Sequence, residues 1–190
     1  MRQRAGWWIV AAVCVGLVSS GARADTGAQG PTAGSPEFER IKALAGRWEG
    51  TSAMDGGNEQ PAVVEYRVTS GGSIVAETLF PGTEHEMLSV YHDRGGKLAM
   101  THYCMLSNQP EMDLTESRPD HLTLSLSDRS HLDAAKDLHM HALTIAFVDD
   151  NHLTETWSSF EGGKPKGSSV FHFSRASAKL AGAPTTVANR

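Results

Sequence analysis

The sequence predicts an all-β protein: an antiparallel up-and-down β-barrel of about ten strands, with a short N-terminal helix plugging one end. Three observations predict it. From Gly46 to Arg175 the apolar period is 2, not 3.6. Each alternating run closes within a few residues on Gly, Pro, Asn or Asp. One segment of helical period precedes them all. Closure satisfies the sheet edges, and about eight to ten strands leave a lumen able to take one small ligand. An open β-sandwich fits the same alternation and is the competing architecture.

The chain has 190 residues, with 17 Lys+Arg against 22 Asp+Glu and a formal net charge of −5. That balance excludes the overall basic coat that holds nucleic acid. Residues 1–24 read as a secretory signal. Arg2 and Arg4 precede an uncharged, largely apolar run from Trp7 to Val18, and Ala22-Arg23-Ala24 is an A-x-A site with cleavage before Asp25. The run is too short for a bilayer, which needs about 20 apolar residues. The expected location is periplasmic or secreted, with no stable membrane insertion after cleavage. An uncleaved anchor is the alternative. Cys14 leaves with the signal, so Cys104 stands alone and the fold rests on its core instead of a disulfide. All nine histidines follow the signal, a first compositional sign of chemistry.

Residues 25–34, rich in Gly, Ala, Pro and Thr, form a linker. Ser35 is a good N-cap, Pro36 suits the first helical position, and Glu37 and Glu39 favour the helix dipole. Phe38, Ile41, Leu44 and Ala45 fall at helical spacing, and Gly46 ends the helix. Strands follow at 48–53, 62–69, 73–80, 85–92, 97–104, 111–117, 121–127, 139–148, 152–160 and 169–175. The barrel domain thus covers 35–177, and 178–190, without strand pattern, is a mobile tail.

The short helix, the Gly46-x-Trp48 that opens the first strand and the Arg175 that ends the last resemble the calycin superfamily of lipocalin-like and fatty-acid-binding-like barrels. A second stretch is Thr78-Leu79-Phe80-Pro81-Gly82-Thr83-Glu84-His85-Glu86-Met87, with Thr101-His102-Tyr103-Cys104 and Asn108-Gln109-Pro110 further on. It is similar to a group of exported bacterial calycin-like proteins. The resemblance implies the fold and the compartment and supplies no reaction. It also implies that Arg175 stacks over Trp48 near the plugged end, a cation–π contact worth about 0.5–2 kcal/mol that locks the first strand to the last.

Loop lengths locate a mouth. Connections 70–72, 93–96, 118–120 and 149–151 are tight, whereas 54–61, 81–84, 105–110, 128–138 and 161–168 are mostly longer. Successive loops of a meander alternate between ends, so the barrel is pinched at the helix end and open at the other, where binding is built. His85, Glu86, His102, Tyr103, Cys104, Asn108, Gln109, His141 and Trp157 gather there as ligand-orienting groups. His139 and His141, two apart on a strand, share the face of Leu143, Ile145 and Phe147. The pattern leaves open which face of 85–92 and 97–104 points inward.

The reading is an exported protein that binds a small, mostly apolar ligand, with adaptable Met87, Met100 and Met112 in the lumen. No catalytic residue and no cofactor is assigned, and the oligomeric state stays open. Alternatives share the same residues. His102, His139 and His141 form a possible zinc set, although no His-Glu-x-x-His or cysteine pair is present. His172 in the last strand is a possible haem ligand, as in nitrobindin-type barrels, from which Thr51-Ser52-Ala53 departs. A hydrolase or isomerase would use Glu86 with a rim histidine. Cys104 and His102, about 7 Å apart along a strand, are too far apart for a nucleophile–base pair without bent side chains.

Overall fold

A computed structural model describes residues 34–177. The expected signal, all of the linker but Gly34, and the tail lie outside the described residues. The chain runs α1 (Pro36–Ala43), β1 (Gly46–Met54), β2 (Gln60–Thr69), β3 (Ile74–Leu79), β4 (Met87–Arg94), β5 (Lys97–Tyr103), β6 (Glu111–Ser117), β7 (His121–Leu126), β8 (His139–Asp149), β9 (His152–Glu161) and β10 (Lys164–Arg175). Each strand pairs with the next, and β10 pairs back onto β1, closing the barrel. All pairings are antiparallel. Closure leaves no free edge, which disposes of the sandwich.

The helix begins where the chemistry favours it. Ser35 Oγ accepts from the Phe38 N–H at 3.2 Å, Pro36 follows, and Glu37 and Glu39 occupy the first turn. At its end Gly46, with φ 129°, turns the chain into β1 through a conformation that favours glycine. Phe38, Ile41 and Leu44 are buried in the core. Arg40 donates to the carbonyls of Arg118 (2.7 Å) and Pro119 (3.0 Å) in the β6–β7 turn, and Ser35 Oγ donates to Asp93 in β4 at 2.6 Å. The helix therefore covers the end of the barrel that carries the tight turns.

The β1–β10 seam is close-fitting. Trp48 and Arg175 are register partners, and the guanidinium carbon lies 4.1 Å from the Trp48 ring centroid. Arg175 also donates to the carbonyls of Ala43 (3.1 Å) and Ala45 (2.9 Å), while Trp48 Nε1 donates to Leu44 O at 2.8 Å. Helix end, first strand and last strand are thus tied at one point. A Cβ on Gly50 would stand 1.8 Å from the His172 carbonyl oxygen, so no side chain fits between these two strands there.

Three local features differ from the alternation read in the sequence. β4 starts at Met87, so His85 and Glu86 belong to the preceding turn, where Glu86 Oε2 accepts from the Gly82 N–H at 2.6 Å. β10 starts at Lys164, five residues earlier than expected. Gly162 and Gly163, with φ of 60° and 73°, make a tight hairpin in place of a long loop. Pro165 and Gly167 hid it, because they break the alternation and the register shifts between them. The third is a register shift between Met140 and Ala142 in β8, and it bears directly on the histidines.

Candidate functional site

The interior of the barrel is lined by alternate residues of each strand, and most are apolar: Val64, Val75, Leu79, Leu98, Met100, Leu122, Leu143 and Phe171 are all buried. A polar girdle interrupts them. Tyr66 on β2 is register partner of Glu77 on β3, Glu77 of Ser89 on β4, and Ser89 of His102 on β5. Four neighbouring strands thus place one polar side chain each at the same level. Tyr91 follows Ser89 on the inward face of β4, and Glu155 and Trp157 meet the row from β9. All seven are buried, with Glu77 at 1% and Glu155 at 0% exposure.

The girdle is hydrogen-bonded throughout. Tyr66 Oη donates to Glu155 Oε1, and Tyr91 Oη donates to Glu77 Oε2. Trp157 Nε1 donates to Glu155 Oε2 at 3.4 Å. Ser89 Oγ lies 3.0 Å from His102 Nδ1, and the His102 ring packs 4.5 Å from that of Trp157, centroid to centroid. Burial is expensive for charge, and it dominates the acid–base behaviour here. It raises the Glu77 carboxyl well above its ordinary value, and the neighbouring Glu155 charge pushes the same way, against bonds from Tyr91 and Ser89. Glu155 is raised to about 7 by burial, against the bonds from Tyr66 and Trp157. Burial lowers His102 to about 4, so its imidazole is neutral at ordinary pH. Two carboxyls in one dry interior do not ionise independently, and burial biases both toward their protonated forms. Such a pair can donate a proton, accept one, or bind a hydrogen-bond donor.

The residues expected at the mouth divide into three sets. His102 and Trp157 meet inside the barrel as part of the girdle. His85, Glu86, Tyr103 and Gln109 are exposed, Tyr103 because it lies on the outward face of β5 next to inward His102. Cys104 and Asn108 are half-buried just beyond β5, where Asn108 Nδ2 donates to Leu138 O at 2.8 Å. The third set is His139 and His141, and here the expected shared face with Leu143 is corrected. The extra residue at the β8 bulge slips the alternation by one, so Met140, opposite Ser159, packs against the core instead. His139 pairs with Phe160, and His141 stacks on the Phe160 ring at 3.8 Å. His139 Nε2 lies 3.2 Å from His141 Nδ1.

His102 therefore does not join His139 and His141. Among the described residues no group of three or more His, Cys, Asp or Glu is arranged to hold a metal ion. His172 is exposed and bonded to Thr154 Oγ1 at 3.2 Å, on the outer face of β10 and away from the lumen. Glu77, Tyr66, Tyr91, Ser89 and Glu155 went unnoticed in the sequence. The signal was there: Val75-x-Glu77-x-Leu79 and Leu153-x-Glu155-x-Trp157 each set one acid inside an apolar period-2 stripe.

No family model matches the chain, and no curated protein matches it. Among solved structures it is similar to a protein of unknown function from the DUF3598 family of Nostoc punctiforme, at 12% identity and a TM-score of 0.46. That match covers 72% of this chain and 49% of the other, so the chain spans about half the length of the protein it resembles.

Proposed function

We propose that this chain is an exported, calycin-like binding protein that holds a small, mostly apolar molecule inside its barrel and reads one polar group on it with the girdle. The observation that carries the reading is the in-register row Tyr66, Glu77, Ser89 and His102, facing Glu155 within an otherwise apolar interior. A core built only for stability gains little from burying two carboxyls, because each must be desolvated and bonded. Small-molecule sites have this composition: an apolar wall with a few converging polar groups.

The way in is the end opposite α1. There Phe80 takes a positive φ of 55°, a strained conformation for a bulky residue, with its ring 6.0 Å from that of Phe171. Phe171 is the register partner of Glu155, so this aromatic pair reaches from the level of the girdle to Phe80 at the open end. His85 and Gln109, exposed at the same end, meet the ligand only as it enters. Export is supported by Arg2, Arg4, the apolar run and the A-x-A site.

Titration with the neutral fluorophore N-phenyl-1-naphthylamine tests the reading. Saturable enhancement that weakens by about 1–3 kcal/mol in Tyr66→Phe is expected, the loss of one buried polar contact. Absence of saturable binding, or indifference to substitutions in the girdle, refutes an interior site. Periplasmic recovery with Asp25 as N-terminus tests export; an intact Met1 in the membrane fraction refutes it.

A further inference from the structure

The seams of the barrel are unequal. Nine carry five to ten register pairs each, and β5–β6 carries three: Ala99 with Asp113, Met100 with Met112 and Thr101 with Glu111. Beyond them, toward the open end, the His102 N–H donates to Pro110 O at 3.0 Å. Bonded pairs alternate along an antiparallel ladder, so Met100–Met112 follows and Leu98–Leu114 would come next. Among the described residues Leu98 and Leu114 have no register partner on this seam, and their backbone N–H and C=O groups face a fork toward the closed end. A bulge in β6 is the cause. Its register on β7 shifts between Leu114 and Glu116, and Thr115 Oγ1 turns to Thr123 O at 3.2 Å and Ser125 Oγ at 3.0 Å, so β6 leans away from β5. A groove of about 240 Å³ lies in the fork, between Gly96-Lys97 and Leu114–Ser117, with Glu37 of α1 across it. That volume admits water, which the unpaired amides require.

The core begins directly beneath the fork: Leu98 and Met112 are buried, and Leu114 packs against them. The two lips are bound to the helix. On one lip, Ser35 Oγ donates at 2.6 Å to Asp93, the register partner of Leu98. On the other, Ser117 Oγ donates to Glu37 at 2.8 Å, and Arg40 donates to the carbonyls of Arg118 and Pro119 at 2.7 and 3.0 Å. We propose that the β5–β6 fork is a side gate into the barrel and that α1 is its latch. The lips part when those bonds release, and a small apolar molecule passes between Leu98 and Leu114. This rests on the interior-binding reading above and adds an opening in the wall to the way in at the open end. Parting any other seam breaks a ladder of five pairs or more. At the fork, opening costs only the latch bonds and the exposure of two leucines. Leucine on both lips suits an apolar passenger.

Amide exchange followed by NMR, and stopped-flow mixing with N-phenyl-1-naphthylamine, test this. The wild-type protein is compared with Arg40→Met combined with Ser117→Ala, which cuts three latch bonds and keeps an unbranched stem over Phe147. In the wild-type protein the Leu98 and Leu114 amides should have protection factors at least about tenfold lower than those of Met100 and Met112. The variant should lower the first pair by a further factor of about ten and leave the second unchanged. Its association and dissociation rates with the fluorophore should both rise by a similar factor at nearly unchanged Kd, because a gate sets a barrier and not an equilibrium. If circular dichroism shows the double variant unfolded, Ser117→Ala alone must move the same amides and rates in the same direction. Leu98 and Leu114 amides as protected as their ladder neighbours, or binding rates indifferent to the substitutions, overturn the gate and leave interior binding standing. Absence of saturable binding overturns interior binding and the gate with it.

Discussion

Replacing His102 by Gln removes the buried base of the girdle, and its effect on stability has a pH signature that can be worked out. Burial lowers the folded-state value to about 4 from an ordinary 6.5. Between those limits the unfolded chain binds a proton that the folded chain refuses. Stability therefore rises with pH across the window and is lost as pH falls from 6.5 toward 4. A span of about 2.5 pH units, at about 1.4 kcal/mol for each, makes this ~3.5 kcal/mol in full, of which ~3 kcal/mol is lost by pH 4. Glu77 and Glu155 act in the opposite sense: their folded values are raised, so above 4.5 the folded state holds protons the unfolded chain has released, and stability falls as pH rises. Both glutamates remain in His102→Gln, so subtracting the two proteins' curves cancels them. The assay is urea unfolding from pH 4 to pH 8, followed by far-UV circular dichroism because the substitution lies against Trp157. At pH 7.5 the variant should be less stable by about 1–3 kcal/mol, having lost the contact with Trp157 and altered the bond to Ser89. That gap should shrink by ~3 kcal/mol, and so vanish or reverse, as pH falls to 4. A gap that stays constant across the range refutes the assignment of His102 as a base held neutral by burial.

Glu155→Gln keeps the acceptor for Tyr66 and removes the titrating group. It should stabilise the fold at pH 8 and have little effect at pH 5, read as a shift in Tm at each pH; equal shifts would mean the carboxyl is not held protonated by burial. Trp48→Ala should destabilise by about 3–5 kcal/mol as truncation of a buried aromatic. Combined with Arg175→Ala in a double-mutant cycle, it should show a coupling of about 0.5–2 kcal/mol, whereas strict additivity would mean the stacked geometry contributes nothing. Gly50→Ala should abolish cooperative unfolding or lower Tm far more than Gly57→Ala in the β1–β2 loop, because its Cβ meets the His172 carbonyl; comparable Tm values would refute the close approach of β1 and β10.

The fold was legible in the sequence because period-2 alternation is a direct imprint of a wall with one face inward. Glycine punctuation marked the hairpins Ser70-Gly71-Gly72 and Gly95-Gly96, and the helix announced itself through Ser35, Pro36 and its acidic first turn. Alternation failed wherever the chain slips by one. The β8 bulge turned His139 and His141 away from the lumen, and the shift between Pro165 and Gly167 concealed the first part of β10. The candidate site was harder for a different reason. Histidines near a mouth attract notice by residue type, and of these only His102 reached the girdle. The acids and tyrosines that complete it are each ordinary in their own strand. Glu77 looks like a solvent-facing residue until the phase of Val75 and Leu79 is taken seriously. Its approach to Glu155 follows from barrel closure, which turns residues 78 apart in sequence toward one interior and is invisible to any local window.

Register is the physical link between those turns and that chemistry. The Gly95-Gly96 hairpin pairs Arg94 with Lys97, and counting back along the ladder from that pair sets Ser89 against His102. The turn at Ser70-Gly71-Gly72 pairs Thr69 with Ile74, and the same counting sets Tyr66 against Glu77. A slip of one residue in either hairpin would send half of the row to the outer face, since side chains alternate with period 2. Gly95 and Gly96, at φ 58° and 80°, occupy conformations that most side chains avoid, and these suit the tight turn that fixes the pairing. The glycines at the closed end therefore act on a site several residues above them without touching it. Substituting them would disturb the girdle through alignment, while His85 and Glu86, close to the mouth but outside the ladder, leave that alignment untouched.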